Sequence, residues 1–83
     1  MTNGPRLVLY SRAYCHLCHD MQRELEGLKD ELGFELDVLD VDADPALEER
    51  FGEIVPVLLD GDLEICHYFL DHEAVDARLS RMR

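Results

Sequence analysis

The chain is 83 residues long, which leaves room for one small domain (residues 1–83) and little else. It is 47% hydrophobic and 33% charged, a balance that supports a folded core and argues against disorder. Nineteen acids against eight bases give a net charge of −11, which repels phosphate backbones and anionic lipid, so neither nucleic acid nor a membrane is expected as a partner. No apolar run approaches the ~18 residues of a membrane-spanning helix, and the start Met1 to Pro5 is polar, unlike a secretory leader. A cytoplasmic, monomeric protein is expected, in a compartment that keeps thiols reduced unless they do chemistry.

In chain order, Arg6 to Tyr10 is a near-continuous apolar run after Gly4-Pro5 and predicts a central strand. Ser11 to Tyr14 is a short loop. From Cys15 the period changes: Cys18, Met21, Leu25, Leu28 and Leu32 recur at three- and four-residue steps, predicting an amphipathic helix that Gly33 ends. Phe34 to Val41 alternates apolar and acidic, as a half-exposed edge strand does. Asp44-Pro45 reads as an N-cap followed by proline at the first helical position, opening a short helix with Leu47 and Phe51 on one face and Gly52 at its end.

Val55 to Leu59 predicts a third strand, Asp60-Gly61 a type I′ hairpin turn, and Leu63 to Phe69 the returning strand. Asp71 caps a last helix with Val75 and Leu79 inward and Arg78, Arg81 and Arg83 near its C-terminal dipole. The order βαβ-α-ββα requires a parallel pair with a right-handed crossover, then an antiparallel hairpin. The expected fold is α/β: a mixed four-stranded sheet flanked by helices on both faces.

Cys15-His16-Leu17-Cys18 falls where the first strand meets the first helix. Positions i and i+3 on a helical turn have Cα atoms ~5–6 Å apart, within disulfide reach. Unpaired N–H groups and the positive dipole end stabilise a thiolate at Cys15, while Cys18 lies one turn in on the apolar face. An accessible nucleophile beside a sheltered resolving thiol is what thiol–disulfide exchange requires. Other chemistries fit less well. Cys15 to His19 also spells C-x-x-C-H, the haem attachment motif, without an export signal. Cys15, Cys18, His19, Cys66 and His67 could supply zinc ligands, although the second half lacks a matching pair. Asp40 to Asp44 imitates a calcium loop, but Pro45 stands where that loop needs glycine. Cys66 reads as a packed small hydrophobe, His19 as a surface residue, and His67 and His72 as surface residues without an evident partner.

Three stretches together resemble the glutaredoxin-like branch of the thioredoxin superfamily over nearly the whole chain. They are L-V-L-Y-S-R-A-Y-C-H-L-C, D-V-D-A-D-P-A-L-E-E-R-F-G and I-V-P-V-L-L-D-G. The resemblance implies a thioredoxin fold and a thiol–disulfide oxidoreductase, with Cys15 as nucleophile and Cys18 as resolving thiol. It also implies a cis bond before Pro56, with Val55 main-chain groups meeting an extended substrate, and Arg12 near the glycine carboxylate of glutathione. Tyr14 and His16, which flank Cys15, are expected to contact substrate. No bound cofactor or metal is expected. The partners would be a disulfide-bearing protein or small thiol and a thiol reductant, with glutathione as a candidate co-substrate. One stretch departs from the family: Ile65 to Asp71 holds no glycine where glutaredoxins carry Gly-Gly before an acid. The rival expectation is a non-catalytic thioredoxin-fold binding module whose cysteines hold a metal or form a redox-gated contact.

Overall fold

The hydrophobic pattern resolves into two clusters on opposite faces of one sheet. The computed structural model describes residues 4–81, so Arg83 lies outside the described residues. Strands β1 (Arg6–Ser11), β2 (Glu35–Asp40), β3 (Val57–Asp60) and β4 (Leu63–His67) form a sheet in the order β2-β1-β3-β4. β1 pairs parallel with β2 and antiparallel with β3, and β3 pairs antiparallel with β4. The helices are α1 (His16–Leu32), α2 (Pro45–Phe51) and α3 (His72–Arg81). This is the expected mixed α/β architecture, with β1 central and β2 at an edge.

Period-two alternation in β1 and β3 divides the side chains. Leu7, Leu9 and Leu58 join Met21 and Leu25 of α1, Phe34, and Val75 and Leu79 of α3 on one face. Val57 and Leu59 join Val41 and Phe51 on the other, where the Tyr10 and Phe51 rings stack at 4.4 Å. Leu25 has no exposed surface, so truncating it to alanine would cost about 2–5 kcal/mol. Gly33 stops α1 in the left-handed conformation (φ 76), its N–H donating to the Lys29 carbonyl at 2.9 Å. Asp44 caps α2 by accepting from the Ala46 N–H at 2.9 Å, and Asp71 caps α3 by accepting from the Ala74 N–H at 3.1 Å.

Several boundaries differ from the sequence expectation. β2 ends at Asp40, whose carboxylate accepts from the Asp42 N–H and turns Val41–Ala43 into a short 3₁₀ segment. β3 starts at Val57 instead of Val55, because the Val55-Pro56 bond is cis and Pro56 has no N–H for the ladder. The hairpin turn sits one residue later than expected, at Gly61-Asp62 between the paired Asp60 and Leu63. Gly61 has φ 61 while Asp62 is not positive, the sign pattern of a type II′ turn and not of I′. β4 stops at His67 because Tyr68 adopts φ 65, outside the strand region. Arg78, expected only to complement a helix dipole, reaches back to the Asp60 carboxylate at 2.5 Å.

Candidate active site

The β1–α1 connection brings the cysteine pair to one end of the sheet. Cys15 is the N-cap of α1, with extended backbone (φ −106, ψ 110), and its sulfur accepts the Cys18 N–H at 3.1 Å. A sulfur therefore stands where serine or aspartate would usually satisfy an orphan helix N–H. That position favours negative charge on Cys15, through the direct hydrogen bond and through the dipole of a 17-residue helix. Cys15 and Cys18 are paired as a disulfide with Cα atoms 5.1 Å apart. Cys15 is half-buried and Cys18 has no exposed surface, so the two sulfurs differ in access as the sequence reading required.

The antiparallel register sets Tyr10 opposite Val57. The chain on either side of that pair leads to Ser11 and the cysteine loop, and to Pro56 and Val55. The cysteines and the cis bond therefore share one end of the sheet. The Tyr68 N–H donates to the Pro56 carbonyl at 2.8 Å, and the Tyr68 hydroxyl donates to the Glu53 carbonyl at 2.8 Å, so the β4–α3 loop is tied to the segment before β3. The Phe69 N–H donates to the His67 carbonyl at 2.7 Å around Tyr68, which closes a γ-turn.

Arg12 is half-buried. Its guanidinium donates to Asp42 at 3.2 Å, to Glu48 at 3.0 Å and to the Gly52 carbonyl at 3.3 Å. The Glu48 hydrogen bond, with Asp42 beside it, raises the guanidinium pKa against a smaller opposing effect of burial, so the group stays charged. Each of its three nitrogens donates within the chain. Tyr14 is 96% exposed immediately before Cys15, and His16 projects outward with its Nε2 at 3.2 Å from Asp20.

His67 and His72 do have partners, contrary to expectation: His67 Nδ1 lies 2.6 Å from Glu64, and His72 Nε2 lies 3.5 Å from Glu24. Cys66 packs against the core cluster formed with α1 and α3, and its thiol pKa is raised, chiefly by burial. Among the described residues no three His, Cys, Asp or Glu side chains converge as a metal site. Nor is any helix there long and apolar enough to cross a membrane. Sequence reasoning missed Tyr68, Phe69, Asp20 and Glu24; the missing glycines at residues 65–71 were the one available signal that this wall is built differently.

Comparison with known proteins fits this geometry. The glutaredoxin-like domain (DUF836) family profile matches residues 6–80. Protein Ne2328 of Nitrosomonas europaea, solved by NMR, is 38% identical, with a TM-score of 0.80 over 95% of each chain. The uncharacterized protein Rv0508 of Mycobacterium tuberculosis is 32% identical over 82 residues, 93% of this chain and 84% of the relative. Thioredoxin 1 of Thermosipho africanus shares the fold at 18% identity, with a TM-score of 0.63 over 92% of this chain and 91% of its own.

Proposed function

We propose that this chain, which belongs to the glutaredoxin-like domain (DUF836) family, is a thiol–disulfide oxidoreductase in which Cys15 attacks and Cys18 resolves. The observation that carries this is the Cys15 sulfur at the α1 N-cap, accepting the Cys18 N–H at 3.1 Å, with the second sulfur fully buried 5.1 Å away by Cα.

In the reduced protein the Cys15 thiolate attacks one sulfur of a substrate disulfide. A Cys15–substrate disulfide forms, the substrate S–S bond breaks, and the departing sulfur leaves as a thiolate that takes a proton from water. Cys18 then loses its proton and attacks the Cys15 sulfur, which releases the second substrate thiol and forms the Cys15–Cys18 disulfide. The substrate gains the two electrons that the protein loses. A thiol reductant returns the pair to the dithiol by the reverse sequence. The helix N-terminus serves both directions: it stabilises Cys15 as the attacking thiolate, and as the leaving group when a second reductant thiol frees it from the mixed disulfide on the return to the dithiol. Val55 main-chain groups, beside Pro56 at the same end of the sheet, would align an extended substrate, with Tyr14 and His16 at its rim. No resident metal or organic cofactor enters this scheme.

The test is intact mass after equilibration in graded glutathione redox buffers and rapid thiol alkylation. A single reversible transition that protects Cys15 and Cys18 together is the expected result. Thiols that stay reduced across the whole series, or a protein purified with stoichiometric metal on them, would overturn the proposal in favour of a binding module.

A further inference from the structure

A groove of about 370 Å³ runs between α1 and the segment that follows β4. Leu17, which lies between the two cysteines in sequence, forms its near end, and Tyr68 and Phe69 form the opposite wall. Phe69 is 69% exposed and Tyr68 is 40% exposed, a large aromatic surface to leave in water across the groove from Leu17. The charged residues in the groove are Asp20 and Glu24 on α1, accompanied by His72; no lysine or arginine lines it. Arg12, in the loop before Cys15, is held by Asp42, Glu48 and the Gly52 carbonyl.

The geometry points to a substrate class: the groove docks the polypeptide flanking a disulfide in a protein substrate, one that presents an apolar side chain to Phe69 and Leu17 and a lysine or arginine to Asp20 and Glu24. This rests on Cys15–Cys18 being the reacting pair. Glutathione is a poor occupant by the same chemistry. It brings two carboxylates against a single ammonium and little apolar surface, to a wall that offers carboxylates and aromatic rings. The net charge of −11 acts in the same direction at long range, drawing cationic partners and repelling anionic ones. Exposed aromatics bordered by charge of one sign are what a short peptide anchor needs: the ring supplies contact area and the charge sets the register.

The test compares four disulfides with the reduced full-length protein in low-salt buffer at constant pH. They are a cystine peptide bearing lysine and leucine, its glutamate-and-leucine counterpart, glutathione disulfide and the neutral hydroxyethyl disulfide. The basic peptide is expected to oxidise the protein about tenfold faster than the acidic one, a preference that shrinks with added salt. In Glu24→Lys that ratio should fall towards one, and Phe69→Ala should slow both peptides. A serine-for-cysteine analogue of the basic peptide should shift the amide resonances of Leu17, Glu24 and Phe69 on titration. Equal rates for the two peptides, glutathione disulfide as fast as the basic peptide, or unmoved groove resonances would each overturn the docking proposal. Hydroxyethyl disulfide separates the two claims. If neither it nor any other disulfide reacts, the oxidoreductase reading falls, while the resonance shifts still decide whether the groove binds a basic segment.

Discussion

The Tyr68 hydroxyl donates to the Glu53 carbonyl at 2.8 Å, one residue along from the Gly52 carbonyl that accepts from Arg12. Two consecutive carbonyls before the cis Val55-Pro56 bond are thus held by two different loops, the one before Cys15 and the one between β4 and α3. Three segments distant in sequence converge on the same few main-chain atoms. The candidate site is therefore positioned by side chains that touch no sulfur.

Tyr68 keeps a left-handed backbone without being glycine, which costs about 1–3 kcal/mol and is found where the surroundings hold the residue in place. Tyr68→Phe removes the hydroxyl and should lower stability by about 1 kcal/mol in urea unfolding. Tyr68→Gly should be more stable than Tyr68→Ala by about 1 kcal/mol, since only glycine accepts φ 65 without penalty. Equal stability of the glycine and alanine variants would show that the backbone there is free to relax.

Arg12 has three acceptors, in the 3₁₀ segment, in α2 and at the C-cap that follows α2, an arrangement suited to the planar fork of a guanidinium and not to an ammonium. Arg12→Gln should lower the urea midpoint, and Arg12→Lys should recover only part of the loss. Gly52→Ala approaches the same contact from the other side, because an added Cβ would collide with the Glu48 carboxylate and main-chain carbonyl. If Arg12 instead serves a substrate carboxylate, Arg12→Gln would leave the midpoint unchanged and weaken the reaction with glutathione disulfide.

Cys66 gives a pH dependence with a definite sign. Burial raises its thiol above the ordinary 9.0; a hydrogen bond with the Asp71 main chain opposes this in part, and the negative charges of Asp71 and Glu64 add smaller upward shifts. The folded state then holds that proton more tightly than the unfolded chain. The stabilisation is complete below the unfolded pKa and is lost as pH rises from about 9 through the folded value. Melting temperature should fall in that alkaline range, and the fall should be smaller in Cys66→Ala. Iodoacetamide should label reduced Cys15 well before Cys66 at neutral pH. Labelling in the reverse order would contradict both assignments.

Local chemistry made much of this legible from the sequence. The cysteine pair at a strand–helix junction, Gly33 as a helix stop and Asp44-Pro45 as a helix start each depend on neighbours within a few residues, and each stands in the structure. The resemblance to glutaredoxins supplied the cis bond before Pro56. Arg12 was placed beside the cysteines, but its acceptors lie 30 to 40 residues away, beyond any periodicity. Tyr68 and Phe69 read as the end of an apolar strand, since a tyrosine gives no sign that it will take the conformation of a glycine. The hairpin turn slipped by one residue because Gly61 can serve at either central position, and pairing with β3 decides which. A residue's own type thus revealed the reacting groups, whereas the walls around them depend on long-range contacts.

The most direct measurement of the central claim is the reaction of wild type, Cys15→Ser and Cys18→Ser with a disulfide peptide, followed by intact mass. The account predicts that wild type turns over, that Cys15→Ser does not react at the active site, and that Cys18→Ser accumulates a mixed disulfide on Cys15. Exchange by Cys15→Ser at the wild-type rate would contradict it.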